Sequence, residues 1–217
     1  MQLAIFVPHI LANNILPVIK TLGFSGVCIF YFRLKMEILL IRHGKPTGAI
    51  NPRLTASGFA NWVRNYNRSK VDPKSLPPKH LRCSLDSHFI VASDLARSID
   101  SVYLCLNREP DLKLKHLREV NIPRYKLPFV FKAYTWLIIS HIFWLVGFSG
   151  KVESFKAAKI RARISAEQLQ ELAIKHGKVA FFGHGMLNKY IAKELNKLGW
   201  DGSPQGKKYW STIKLKT

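Results

Sequence analysis

The sequence predicts an α/β sandwich built around a largely parallel sheet. Three observations lead there: short apolar runs alternate with amphipathic helical stretches, the apolar runs are long enough for strands buried on both faces, and each ends abruptly in polar or basic residues. In sheets of this kind ligands bind beyond the carboxyl ends of the strands, so those polar ends are the first place to look for chemistry.

The first strand is EILLI (residues 37–41), a continuous apolar run that stops at Arg42-His43-Gly44. In NPRLTASGFANWVRNYNR, Thr55 is a candidate N-cap and Phe59, Trp62, Val63 and Tyr66 recur at helical spacing. The Pro- and Lys-rich stretch SKVDPKSLPPKHLRCSLDS reads as a surface loop. A second strand (88–92) turns at Ser93 and Asp94, which are candidate caps for a helix carrying Leu95, Ile99, Val102 and Leu106. LKLKHLREV (112–120) alternates like a half-exposed strand. The run from Ser154 is a long amphipathic helix closed by Gly177, and KVAFF leads through Gly183-His184-Gly185 into another helix. KYWSTIKLK reads as an edge strand.

At 217 residues the chain can hold one sizeable core, and 47% hydrophobic residues exclude a mostly disordered polypeptide. The net charge of +21 suits phosphates, nucleic acid or anionic lipid. No zinc-finger spacing, aromatic RNA motif or recognition helix points to nucleic acid specifically. Cys28, Cys83 and Cys105 are odd in number and lack CxxC spacing, so neither a disulfide framework nor a zinc site is indicated, and a reducing, cytoplasmic setting is the simplest expectation. Residues 1–35 form an apolar extension without acids. Three readings stay open for them: non-native upstream translation, a weak membrane anchor, or a packed N-terminal helix. Their longest clean apolar piece, TLGFSGVCIFYF, falls short of the ~20 residues a spanning helix needs.

If the strands are parallel, Arg42, His43, Arg97 and His184 converge at one sheet edge, with Glu119 after the remaining strand. Phosphoryl transfer asks for such a set. Arginine forks match the peripheral oxygens, a neutral histidine can attack phosphorus through one ring nitrogen, and a carboxylic acid can protonate the leaving oxygen.

The pieces LLIRHGKP, LTASG, ASDLARS, HLREV and FFGHG, in this order, resemble the histidine phosphatase superfamily, also called the phosphoglycerate mutase-like family, over roughly residues 36–120 and 150–215. The resemblance implies a three-layer α/β/α sandwich for residues 36–217, a phosphohistidine intermediate, and no metal or other cofactor. It implies that His43 is the nucleophile, Arg42 and Arg97 the phosphate clamp, His184 a second pocket histidine, and Glu119 the proton donor. It also implies that the insertion at about 121–150 is a hydrophobic cap.

Two departures bear on the reaction. The stretch after Glu119 lacks the Gly-x-Trp-Glu-Gly-like segment of members with sugar-phosphate specificity, and LTASGFANW lacks the glutamine often found in that helix. Phosphomonoester hydrolysis on a phosphorylated substrate is therefore the expected activity. The alternatives are mutase-type phosphotransfer and a phosphatase-like module that only binds anionic partners. For Leu127 to Phe148, a pocket cap and an element lying on an anionic membrane both fit, the second implying peripheral membrane contact. His80, His88, His116, His141 and His176 have no catalytic company in sequence, Arg118 and Arg124 read as solvated, and Lys45 could add positive charge beside the pocket.

Overall fold

In β1 (Glu37–Arg42), Ile38 and Leu40 point into one apolar cluster while Leu39 and Ile41 point into another. A strand buried on both faces has no polar side to show, which is why it reads as a continuous apolar run. The computed structural model describes residues 35–203 and 208–217. The three readings of the N-terminal extension therefore fall on residues outside those described, apart from Lys35.

The elements follow as β2 (Arg53–Leu54), α1 (Ala56–Arg68), α2 (Lys79–Cys83), β3 (Phe89–Ser93), α3 (Ala96–Leu106), β4 (Leu112–Leu114), β5 (Phe131–Lys132), α4 (Ala133–Leu145), α5 (Phe155–His176), β6 (Lys178–Gly183), α6 (Gly185–Lys197) and β7 (Thr212–Lys216). The main sheet has the order β4-β3-β6-β1-β7. The β1–β6, β3–β6 and β3–β4 pairs are parallel, and β7 runs antiparallel to β1 at the edge. Register aligns Arg42 with Gly183 and Ala92 with Phe182, so the carboxyl ends of β1, β3 and β6 share one side of the sheet.

α5 and α6 cover one face. Ala162, Ala166, Leu169 and Ala173 make the α5 stripe, and Leu187, Ile191 and Leu195 that of α6. On the other face Leu81, Val102 and Cys105 bring α2 and α3 against Leu39, Ile41, Ile90 and Phe182. The result is the expected three-layer α/β/α sandwich. Ser154 caps α5 by accepting the Ala157 N–H at 3.1 Å, and Gly177 ends the helix at φ +76°, where a side chain would be strained.

Four local expectations change. The presumed surface loop contains α2, because Leu81 and Leu85 are buried core anchors that its Pro and Lys content conceals. β4 stops at Leu114 and a 3₁₀ turn (Lys115–Leu117) follows, which turns Leu117 fully into the core. α3 buries Arg97, Ser98, Ser101, Val102 and Cys105, whereas Ile99 and Leu106 are only half-buried. Ser93 and Asp94 cap nothing: Leu95 holds the N-cap position, Ser93 bonds to His184, and Asp94 pairs with Arg118 at 2.5 Å.

The cap is assembled from two segments rather than from the insertion alone. β5 pairs antiparallel with β2, and α4 packs on α1 through Phe59, Trp62, Ala133 and Trp136. The Phe59 ring stacks 6.0 Å from Trp62 and 5.7 Å from Trp136, and the Trp136 indole N–H donates to the Leu54 carbonyl at 2.9 Å. Thr55, as expected, caps α1 by accepting the Gly58 N–H at 3.2 Å.

Candidate active site

β1 delivers Arg42, and the chain then passes under the Trp210 ring at Gly44. A Cβ there would lie 2.6 Å from Trp210 Cζ2 and 2.7 Å from Val71 Cγ1, so only glycine lets the backbone approach. The Gly44 N–H donates to Ser101 Oγ at 2.9 Å, and the Gly44 carbonyl accepts from His43 Nδ1 at 2.7 Å. A carbonyl can only accept, so Nδ1 carries the proton and the lone pair of the neutral ring sits on Nε2. Burial of His43, aided by the Arg97 and Arg42 cations, lowers its pKa from 6.5 to about 3 and keeps the ring neutral.

Arg97, from the first turn of α3, is 1% exposed. Its Nε–H donates to His43 Nε2 at 3.3 Å. Its Nη1 donates to the carbonyls of Tyr66 and Asn67, at 3.3 and 3.4 Å, in the last turn of α1, where a cation suits the helix dipole. Arg97 is thus the joint between the cap and His43. Burial lowers its pKa from the usual arginine value and raises that of Tyr66, whose ring lies 5.0 Å beneath the guanidinium.

β6 ends in Gly183, and His184 takes the N-cap position of α6 with its backbone N–H donating to Asn188 Oδ1 at 3.2 Å. Its Nε2 lies 2.7 Å from Ser93 Oγ, while Nδ1 is buried without a hydrogen-bond partner among the described residues. Burial first, then the nearby His43 and Arg97, pushes its pKa well below 6.5. The His43 and His184 rings meet edge to face, their centroids 5.2 Å apart. Arg42 lies over the Tyr209 ring at 4.4 Å.

A cavity of about 1080 Å³ adjoins these groups. Arg42, Arg97 and Glu119 line it, with Trp62 and Tyr66 of α1, Leu137 and His141 of α4, and Tyr209 before β7. Glu119 is the one acidic side chain among its lining residues. Its carboxylate accepts the N–H groups of Met186 at 3.2 Å and Leu187 at 3.0 Å, in the first turn of α6, and of Val120 at 3.0 Å.

The structure therefore brings His43, His184 and Arg97 into one buried cluster and sets Arg42 and Glu119 in the wall beside it. Arg118 and Arg124 line the same cavity, Arg118 held by its ion pair to Asp94. Lys45 borders a separate depression with Asp72, Lys74 and Lys208. Among the other histidines, His88 bonds Glu37 at 3.2 Å and His176 stacks on Phe89 at 4.0 Å, whereas His141 is a wall residue of the cavity. Sequence reasoning assigned Ser93 to helix capping and did not single out Tyr66 or Tyr209 for the site. The ASDLARS motif contains Ser93, but nothing local marks Tyr209, which arrives because β7 enters the sheet from this edge.

No family model matches the chain, and no curated protein matches it in sequence. Solved structures do match in fold. The mycobacterial glucosyl-3-phosphoglycerate phosphatase superposes with a TM-score of 0.55 at 14% identity, covering 84% of this chain and 90% of that one. The phosphoglycerate mutase from Bacillus anthracis gives 0.53 at 18% identity, over 84% and 88%. A phosphoserine phosphatase mutant from Entamoeba histolytica gives 0.51 at 11% identity, over 82% and 89%. Layer order, strand register and these superpositions agree: the chain has the histidine phosphatase fold.

Proposed function

We propose that the protein is a metal-independent phosphomonoester hydrolase that works through a phosphohistidine on His43. The observation that carries this reading is the Nδ1–Gly44 bond, which leaves the lone pair on Nε2, the nitrogen facing Arg97. Nε2 attacks phosphorus, the ester P–O bond breaks, and the leaving oxygen takes a proton from the Glu119 carboxyl group. Water then attacks the phosphohistidine, gives its proton to Glu119, and releases inorganic phosphate and neutral His43.

The charge on the transferred group is met by Arg42 and Arg97, so the step draws on fixed cations rather than on a metal. Arg97 Nε–H donates to the attacking nitrogen, so attack requires that bond to be exchanged for one to a phosphate oxygen. His184, with Nε2 engaged by Ser93, has Nδ1 left to meet a second oxygen. Glu119 supports the acid–base role as the lone carboxyl group among the described residues of the cavity wall. A mutase or a binding-only module would share the clamp and differ in outcome.

The test is hydrolysis of p-nitrophenyl phosphate together with trapping of labelled phosphate on the denatured protein. The reading expects turnover, an acid-labile label, and loss of both in His43→Ala. Unchanged hydrolysis in His43→Ala would overturn it, and label transfer to a hydroxyl group of an added phosphorylated acceptor instead of to water would identify a mutase.

A further inference from the structure

α4 reads AYTWLIISHIFWL, apolar around most of its circumference and without Asp, Glu, Lys or Arg. A helix of that kind is expected in a core or in lipid. Here one stripe is buried, Ala133, Trp136, Ser140 and Trp144, and a second, Tyr134, Leu137 and His141, lines the cavity. The third faces outward: Ile138 is 60% exposed and Ile142 55%, and the stripe runs on through Leu145, Val146 and Phe148. A contiguous apolar surface of this sort marks an interaction site.

The charge around it identifies the partner. Residues 121–151 contain Arg124, Lys126, Lys132 and Lys151, all exposed, and no acid. Residues 44–71, which supply the other half of the cap, are likewise basic and free of acid. A second copy of the chain would have to bring two such surfaces together against their repulsion. A surface that offers apolar depth and negative charge at once is an anionic bilayer.

We propose that the cap docks the protein onto an anionic lipid bilayer, with α4 lying flat in the interface. Its Ile138, Ile142 and Leu145 enter the acyl boundary while Lys126 and Lys132 meet headgroup phosphates. At about 20 Å, α4 is too short to cross a bilayer and long enough to lie along one. No helix of the described residues is long and apolar enough to span. Because the same helix walls the cavity, the docked face adjoins the candidate active site.

The experiment is co-sedimentation of the full chain with vesicles of phosphatidylcholine alone and of phosphatidylcholine mixed with phosphatidylglycerol, at increasing salt. Binding to the anionic vesicles that weakens with salt is expected. Ile138→Gln with Ile142→Gln should weaken it about tenfold or more. Lys126→Gln with Lys132→Gln should weaken it by about fivefold per lysine, with near-ultraviolet circular dichroism confirming that each variant is folded. Absence of binding to the anionic vesicles overturns the proposal. So does equal binding by folded isoleucine variants, which would place the contact elsewhere on the chain. A dimer that the isoleucine changes dissociate, with vesicle binding intact, would overturn it in favour of self-association.

Discussion

Ser93 Oγ and His184 Nε2 lie 2.7 Å apart, and that bond ties the end of β3 to the start of α6 inside the buried cluster. The hydroxyl can donate to the ring or accept from it, so the bond holds the Nε2 edge of His184 against Ser93 and turns Nδ1 the other way. Ser93→Ala should leave the fold intact and reduce kcat for p-nitrophenyl phosphate by about tenfold to a hundredfold, the worth of one buried hydrogen bond. Ser93→Thr, which keeps the hydroxyl, should recover part of the loss. Full activity in Ser93→Ala would show that His184 is oriented without it.

Arg97 makes two kinds of bond, Nε to His43 and Nη1 to the end of α1. Lysine keeps the charge but cannot make both. Arg97→Lys should therefore lower kcat by about 10²–10³-fold, the scale of losing a preorganised donor to the transferred group. A rate within a few-fold of wild type would remove Arg97 from the clamp.

Two buried histidines should make stability sensitive to mild acid. The folded pKa of His43, about 3, lies below its ordinary 6.5, and that of His184 is lowered too. Between those values the unfolded chain binds protons that the native state refuses, so the contribution is complete above 6.5 and is lost as pH falls toward 3. Melting temperatures should drop as pH falls below 6.5, before the carboxylates begin to titrate. His43→Gln should flatten that slope, and identical slopes would contradict the buried neutral imidazole.

At Gly44 the ring of Trp210 and the methyl of Val71 leave no space for a side chain. Gly44→Ala should cost about 1–3 kcal/mol in denaturant unfolding through overpacking and shift His43 with it, so activity should fall further than stability. An alanine variant as stable and active as wild type would mean that the Trp210 ring can yield.

Trp136 is fully buried between α1 and α4. Trp136→Ala should cost about 3–5 kcal/mol by leaving a cavity in the cap. Because α1 holds Arg97 through Tyr66 and Asn67, the same change should raise KM. An unaltered KM would show that the cap and the clamp are mechanically independent.

Much of this molecule was legible in one dimension. EILLI and KVAFF are buried on both faces and so display uninterrupted apolar runs, and Arg42-His43-Gly44 and Gly183-His184-Gly185 stand where those runs stop. Parallel pairing in register then puts both at one edge, the condition on which the sequence reading brought the histidines and arginines together. α2 escaped notice because its single buried residue, Leu81, stands in a stretch dominated by prolines and lysines, and the buried face of α3 because Arg97, Ser98 and Ser101 share it with Val102 and Cys105.

Legible in the chain alone are the alternation of strands and helices, the polar strand ends where the candidate site residues stand, and the excess of positive charge. The tautomer of His43, the Ser93–His184 bond, the hold of Glu119 on the first turn of α6, and the arrival of Tyr209 through an antiparallel edge strand come from the folded chain instead. The physical reason is range. Periodicity and turn chemistry act over a few residues and leave a local trace, whereas a ring nitrogen's partner comes from a strand 91 residues away in the chain and is set by sheet order and packing.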